Sequence, residues 1–395
     1  MGFETWAHTP LERGFDSYFG YYAGSTDYYT MQSECWPGVH HDGCFESTNH
    51  GEPVSGCDLH RGRSPICNST TYSTALFTEE AIDLISKHPR GGPPMFLYLA
   101  HQAVHVGNKP LRSHPEYALD QAPARYAHDY LWVDDVQRRN LSAMVTALDE
   151  SVGNLSSALR AAGMWETTLM IFSTDNGGPV PFKASNYPLR NGKATCWEGG
   201  AKGIGFVTGG AKIFGHLWAA GRLPAWPPPS GDEVFATPVR ARVETHAMIH
   251  VTDWLPTLCE LAGCEGGGRP TGTKPLDGTS AWAAIAHGGA TLRDEILIDL
   301  SGEVKASPAI IVGEWKLINT PSELYHLARD PGETTDLAAS YPDKVTELKA
   351  RLAFYNRTAV PSCDRLVPEL ASNPMLHGGV WTPWRDHVKG TGCPR

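Results

Sequence analysis

Apolar residues recur along the chain in two rhythms, and each rhythm dictates an element. Leu141, Met144, Val145, Leu148, Val152, Leu155 and Leu159 fall three or four apart, which aligns them on one face of a long amphipathic helix. Gly163 follows just past the last of them, in the C-cap region. The spacing from Thr78 to Lys87 predicts another helix, closed by Pro89 and the Gly91-Gly92-Pro93-Pro94 breaker. Two short runs are instead continuously apolar at their centres, Met95 to Ala100 and Thr168 to Ser173, the pattern of strands covered on both faces. Strand, long helix and strand predict a βαβ crossover and therefore a parallel sheet.

A further helix is expected from Thr252-Asp253 to Gly263. Beyond Gly278 the pattern shifts to short strands over Ile296 to Leu300, Ala309 to Val312, Trp315 to Ile318 and Leu324 to Leu327. A helix across Val345 to Tyr355 follows, so a small antiparallel sheet with one packed helix is expected. The proline-rich stretch Leu223 to Gly231 reads as a surface loop, and residues 1–75 as loop-heavy structure laid over a core. The boundary falls near residue 290, dividing a larger α/β domain (1–290) from a smaller α+β domain (291–395).

Composition narrows the class. With 395 residues, 41% hydrophobic and 19% charged, the chain is neither disordered nor fibrous. The net charge of -10 and the lack of a dense Lys/Arg run exclude a basic stripe, so nucleic acid is not an expected partner. One or two local cations still suffice for a small sulfated or phosphorylated group. No apolar run approaches the roughly 20 residues of a membrane span.

Met1-Gly2-Phe3-Glu4-Thr5 does not read as a signal peptide. The cysteines and sequons point elsewhere. Of nine cysteines, Cys35, Cys44, Cys57 and Cys67 crowd one loop-rich stretch, as disulfides of an oxidising compartment would. A zinc site with His40, His41 and His60 is the alternative, disfavoured because no C-x-x-C pair is present. The odd count leaves one thiol over, and Cys259 in an apolar helical run is the candidate. N-glycosylation triplets begin at Asn68, Asn140, Asn154 and Asn356. Together these features predict a secreted or lysosomal glycoprotein truncated at its start.

Candidate chemistry sits where strands end, since ligands of open parallel sheets bind there. Asp175-Asn176-Gly177-Gly178 offers adjacent carboxylate and amide oxygens, a set suited to calcium or magnesium; an Asx-turn accounts for it equally well. His105, past the run 95–100, is placed to protonate a leaving oxygen, or is a hydrogen-bonded loop histidine. Lys193 lies on the loop Pro188-Leu189-Arg190-Asn191-Gly192-Lys193 and holds an anionic oxygen, or is a solvated surface lysine.

Several strings, taken in order, carry a resemblance. Thr9-Pro10-Leu11-Glu12-Arg13-Gly14-Phe15-Asp16 runs into Phe19-Gly20-Tyr21 and Asp27-Tyr28-Tyr29. Then come Ser173 to Gly178, Pro188-Leu189-Arg190 through Trp197-Glu198-Gly199-Gly200, and Asp253 to Leu258. Glu323-Leu324-Tyr325, Asp330-Pro331, Glu333 and Asp336-Leu337 complete the series. In this order they resemble the type I sulfatases, and most nearly the arylsulfatase B branch. The resemblance implies an alkaline-phosphatase-like α/β fold with a smaller C-terminal domain. It implies Asp175 and Asn176 as calcium ligands, His105 as the histidine near the leaving group and Lys193 as the sulfate-binding lysine. A sulfated carbohydrate or aryl sulfate ester is the implied substrate. In that family a cysteine within C-x-P-x-R becomes the nucleophile. None of the nine cysteines here lies in such a string, and no early Asp-Asp pair exists. Met1-Gly2 is similar to the end of the family's G-K-W-H-[LM]-G segment. The expectation is therefore a sulfatase missing its nucleophile segment and inactive alone. The alternatives are a non-catalytic pseudoenzyme or binding protein of the same fold, and a metal-dependent phosphodiesterase of the same superfold. The Asp-Asn pair disfavours the phosphodiesterase, since two-zinc members would be expected to place a histidine there.

Overall fold

The computed structural model describes residues 5–35, 54–107, 120–210, 212, 244–264, 275–288, 291–300, 307–359 and 373–383. Cys44, His40, His41 and the proline-rich stretch 223–231 lie outside them. Backbone contacts divide the chain into two compact units, Met1–Ala162 with Pro361–Arg395, and Gly163–Val360.

In the first unit, β1 (Gln32–Cys35) pairs antiparallel with β2 (Val54–Cys57). A segment near the C-terminus closes over this hairpin. The Trp381 backbone N–H donates to the Cys57 carbonyl (2.9 Å), and its indole N–H donates to the Ser33 carbonyl at 3.0 Å. Cys57 is also bonded to Cys67, so disulfide pairing occurs within the cysteine-rich loop.

Helix α1 (Ser73–Lys87) packs against α2 (Val136–Ala161). The three-and-four spacing does the work here. Met144, Ala143 and Ala147 of α2 meet Tyr28, Tyr72 and Tyr126 in one buried cluster. The Asp135 carboxylate caps α2 by accepting the Arg138 N–H, and Gly163 at φ 73° follows the helix end. Between the helices, the Thr78 and Ser151 hydroxyls meet at 2.6 Å, and Ser151 reaches His101 Nε2 at 3.0 Å.

The run Met95–Ala100 departs from expectation. It pairs with no strand among the described residues, and Phe96 and Tyr98 are 66% and 73% exposed. An extended apolar segment becomes a ladder only where a neighbour supplies N–H and C=O groups in register. Only Leu99 of this run packs on the cluster of Met31, Leu59 and Phe77.

In the second unit, β3 (Leu169–Ser173) pairs antiparallel with β4 (Gly205–Gly209), from Leu169↔Gly209 to Ser173↔Gly205. The named ladders among the described residues are all antiparallel, so the expected crossover is not expressed as a parallel ladder there. Helix α3 (Trp254–Ala262) ends in the left-handed Gly263 at φ 74°. The Asp253 carboxylate, at the start of α3, takes two bonds from Arg293, at 2.6 and 2.8 Å, besides the N–H groups of His250 and Thr279.

The expected four-stranded antiparallel sheet is present, in the order β8 (Ser322–His326), β7 (Trp315–Asn319), β6 (Ala309–Val312), β5 (Glu295–Asp299). Its two faces have different partners. Ile310, Leu317 and Leu324 point to one side and bury Leu348 and Leu352 of helix α4 (Pro342–Thr358). Ala309, Ile318 and Tyr325, one residue along in each strand, point to the other and pack on Cys196 and Trp197. That second face supports the motif-bearing loops.

Candidate functional site

Ser173 ends β3, and the chain then turns through Asp175-Asn176-Gly177-Gly178. The turn is laced to the loop 186–200 by backbone and amide bonds. Gly177 N–H donates to the Gly200 carbonyl at 3.0 Å, and Lys193 N–H to the Gly178 carbonyl at 3.2 Å. Asn186 clasps both segments: its Oδ1 accepts the Gly178 N–H, and its Nδ2 donates to the carbonyls of Gly178 and Asn191, each at 2.8 Å. Two glycines are required by this proximity rather than by positive φ. A Cβ on Gly177 would lie 1.8 Å from the Gly199 carbonyl oxygen, and one on Gly199 would lie 2.3 Å from that of Arg190. Asp175, Asn176 and Lys193 therefore stand on one cross-linked backbone assembly. Asp175 is exposed, while Asn176 and Lys193 are half-buried.

A buried charge network anchors the same loop to the sheet. Lys316 on β7 is completely buried, 2.9 Å from Glu198 Oε1 and 2.8 Å from Glu333 Oε1. The other oxygen of Glu333 accepts the Glu198 N–H at 2.6 Å, at the start of a short helical turn, Glu198–Ala201. Burial pushes the Glu333 carboxyl up, and the Lys316 ammonium works against that rise. Above it, Arg190 donates to the Tyr325 hydroxyl (2.7 Å) and to the Glu333 carbonyl (3.1 Å), and its guanidinium covers the Trp197 ring at 4.6 Å. The motifs of the sequence include Arg190, Glu198 and Glu333 without assigning them roles, and none of them includes Lys316. The available signal was a lysine between Trp315 and Leu317 in a short apolar strand.

His105 belongs to the first unit, the other three candidates to the second. Its segment is fixed by side chains that reach its backbone. The Tyr28 hydroxyl donates to the His105 carbonyl at 2.8 Å. Gln102 is buried and exchanges bonds with Thr26, accepting from its hydroxyl at 2.9 Å and donating to its carbonyl at 2.6 Å. His105 itself is exposed, with Nδ1 2.7 Å from the Val106 carbonyl. His101 differs: it is tucked against Ser151, and burial pushes its imidazole down to about 4. Asn68, Asn154 and Asn356 are exposed and Asn140 is half-buried, the last three lying on helices.

Asp175 and Asn176 carry the oxygen chemistry that a hard cation takes, but calcium requires about six to eight oxygens. The Asp175 Oδ1 accepts the Asn176 N–H at 2.8 Å, and among the described residues no three His, Cys, Asp or Glu side chains converge on one point. These residues do not by themselves make a calcium site.

A family model described as Sulfatase matches residues 2–264. Arylsulfatase J of Mus musculus is 31% identical over 436 aligned positions, covering 97% of this chain and 63% of that protein. N-acetylgalactosamine-6-sulfatase of Canis lupus familiaris is 24% identical, covering 91% and 66% respectively. The chain thus spans less than two thirds of the length of these relatives. Among solved structures, that of Ps i-CgsB in complex with k-i-k-neocarrahexaose superposes with a TM-score of 0.64 at 24% identity, covering 89% of this chain and 68% of that one. The fold is accordingly alkaline-phosphatase-like α/β, with an antiparallel sheet towards the C-terminus. The expected arylsulfatase B branch is corrected by a relative that covers 97% of the chain and is named arylsulfatase J. With a family match over residues 2–264 and a collinear relative along almost its full length, the chain belongs to the sulfatase family.

Proposed function

We propose that this chain is part of a sulfuric ester hydrolase acting on sulfated sugars, and that residues 175–200 supply its anion-binding elements. The observation carrying this reading is the lacing of the Asp175-Asn176 turn to the Lys193 loop, with bonds from Gly177 to Gly200 and from Lys193 to Gly178. It sets a carboxylate, an amide oxygen and an ammonium on one rigid frame. An ammonium on such a frame holds a sulfuryl oxygen as a point charge, with little reorganisation during the reaction. His105 is assigned as the group that gives a proton to the leaving oxygen, since an imidazole titrates near neutrality. Asp175 and Asn176 are assigned as two oxygen ligands of a calcium ion, which supplies charge neutralisation at the sulfuryl oxygens when bound. A sulfated amino sugar fits the name of the canine relative, N-acetylgalactosamine-6-sulfatase. The sequons and the disulfide support a secreted or lysosomal location.

The chain alone is proposed to be without turnover, because none of its cysteines lies in C-x-P-x-R. The same observation favours a second reading, a pseudoenzyme that binds sulfated sugars without cleaving them. Three observations decide between outcomes. Binding of an aryl sulfate to the purified chain, followed calorimetrically, is expected to weaken at least tenfold in Lys193→Ala; unchanged binding removes the anion-pocket assignment. Calcium-dependent sulfate release by the same chain would overturn the absence of turnover. An in-frame C-x-P-x-R segment encoded upstream of Met1 favours the hydrolase over the pseudoenzyme.

A further inference from the structure

Helix α3 ends in a turn that brings two cysteines together. Gly263 takes the left-handed conformation, and the Cys264 N–H reaches back to the Cys259 carbonyl at 2.9 Å. This is the 6→1 bond of a Schellman turn, in which the residue after the glycine meets the one five positions earlier. Standard backbone dimensions then hold the two Cα atoms within roughly 6.8 Å, the outer edge of the span a disulfide bridges. The two thiols are near enough that Cys264 raises the Cys259 thiol. Cys259 is 8% exposed, whereas Cys264 is open to solvent.

We propose that Cys259 and Cys264 are a disulfide-forming pair, closed by exchange with a small-molecule disulfide such as oxidised glutathione. The exposed sulfur reacts first. Cys264, as thiolate, attacks one sulfur of the glutathione disulfide, forming a mixed disulfide and releasing one glutathione thiolate. Cys259 then loses its proton and attacks the Cys264 sulfur, expelling the second. Two protein thiols give up two electrons and two protons, and one glutathione disulfide becomes two glutathione thiols. Contact with Cys264, and then burial, pushes the Cys259 thiol up to about 11, so the second step is the slow one. The closed bond ties the last turn of α3 to the residue that leaves it. Of the free cysteines Cys196, Cys259 and Cys264, Cys196, buried with its sulfur on the Ser307 carbonyl at 3.1 Å, is then the one left as a thiol.

The test is alkylation of the folded, purified chain after equilibration with reduced and oxidised glutathione. Peptide mass spectrometry is expected to find the fragment holding Cys259 and Cys264 with no alkyl groups and 2 Da lighter than its dithiol. Prior reduction is expected to let it take two groups. In Cys264→Ser, Cys259 is expected to stay a slowly alkylated thiol, and Cys196→Ser is expected to leave the pair unchanged. Two alkyl groups on this fragment, under conditions where Cys57–Cys67 is intact, would overturn the proposal. So would a stable glutathione adduct on Cys264 that Cys259 never displaces.

Discussion

Lys316 Nζ lies 2.9 Å from Glu198 Oε1 with the lysine wholly shielded from water, so a strand of the four-stranded sheet is tied ionically to the loop that carries Lys193. Removing one member of such a set leaves a charge stranded in the interior, which costs about 3–5 kcal/mol. Lys316→Met is expected to fall in that range, because Glu198 and Glu333 then face each other without a cation. Glu333→Gln is expected to cost less, since the Glu198 pair survives. Urea denaturation midpoints of the two variants, compared with the parent, check the ranking.

The Asp253–Arg293 pair makes a similar prediction at the start of α3. Burial alone pushes the Asp253 carboxyl up; the Arg293 guanidinium and the His250 and Thr279 N–H groups reverse this and hold it below the usual range. Asp253→Ala removes the helix-start acceptor and leaves Arg293 largely buried. A loss of about 3 kcal/mol is expected, read as a lower unfolding midpoint, and Arg293→Ala is expected to do comparable damage.

Gly177→Ala probes the lacing itself. Its methyl group would overlap the Gly199 carbonyl, so the turn and the loop must separate. Overpacking of this kind costs roughly 1–3 kcal/mol. The expected signature is aryl sulfate binding weakened more than stability, measured by calorimetry and by thermal unfolding on one preparation. Binding at the parent level would show that the lacing does not shape the proposed anion site.

Acid sensitivity follows from His101. Its imidazole is held near 4, against about 6.5 when unfolded, so between these values the unfolded chain takes up a proton that the folded chain refuses. Its contribution is complete above pH 6.5 and is lost as pH falls towards 4, amounting to about 3 kcal/mol at most. His60, lowered similarly by burial, is offset by the neighbouring Asp58, whose carboxyl burial raises to about 7. His101→Gln is therefore expected to flatten the decline of stability between pH 6.5 and 4, in denaturation curves taken across that range.

Periodicity located most elements because amphipathic spacing answers directly to burial. The helix expected from Leu141 to Leu159 extends over Val136–Ala161, and the strand Ala309–Val312 appears with the expected ends. The run 95–100 is neither a ladder nor a buried segment among the described residues, because apolarity marks what a segment can bury and not whether a covering or hydrogen-bonding neighbour is present. At the candidate site, the strand-end position of Asp175-Asn176 was legible. The Lys316 network was not, since its members lie 118 and 135 residues from their partners in sequence and no local pattern joins them.

The two-sidedness of β7 has one more effect. Leu317 and Lys316 are neighbours sent in opposite directions, one into the α4 interface and one into the carboxylates. Sliding this strand by a single position against β6 or β8 would thrust the ammonium among leucines and the leucine among acids. Only one alignment satisfies both faces at once, so the sheet cannot settle without also seating the loop it carries, and a misaligned sheet would betray itself by a loop left adrift.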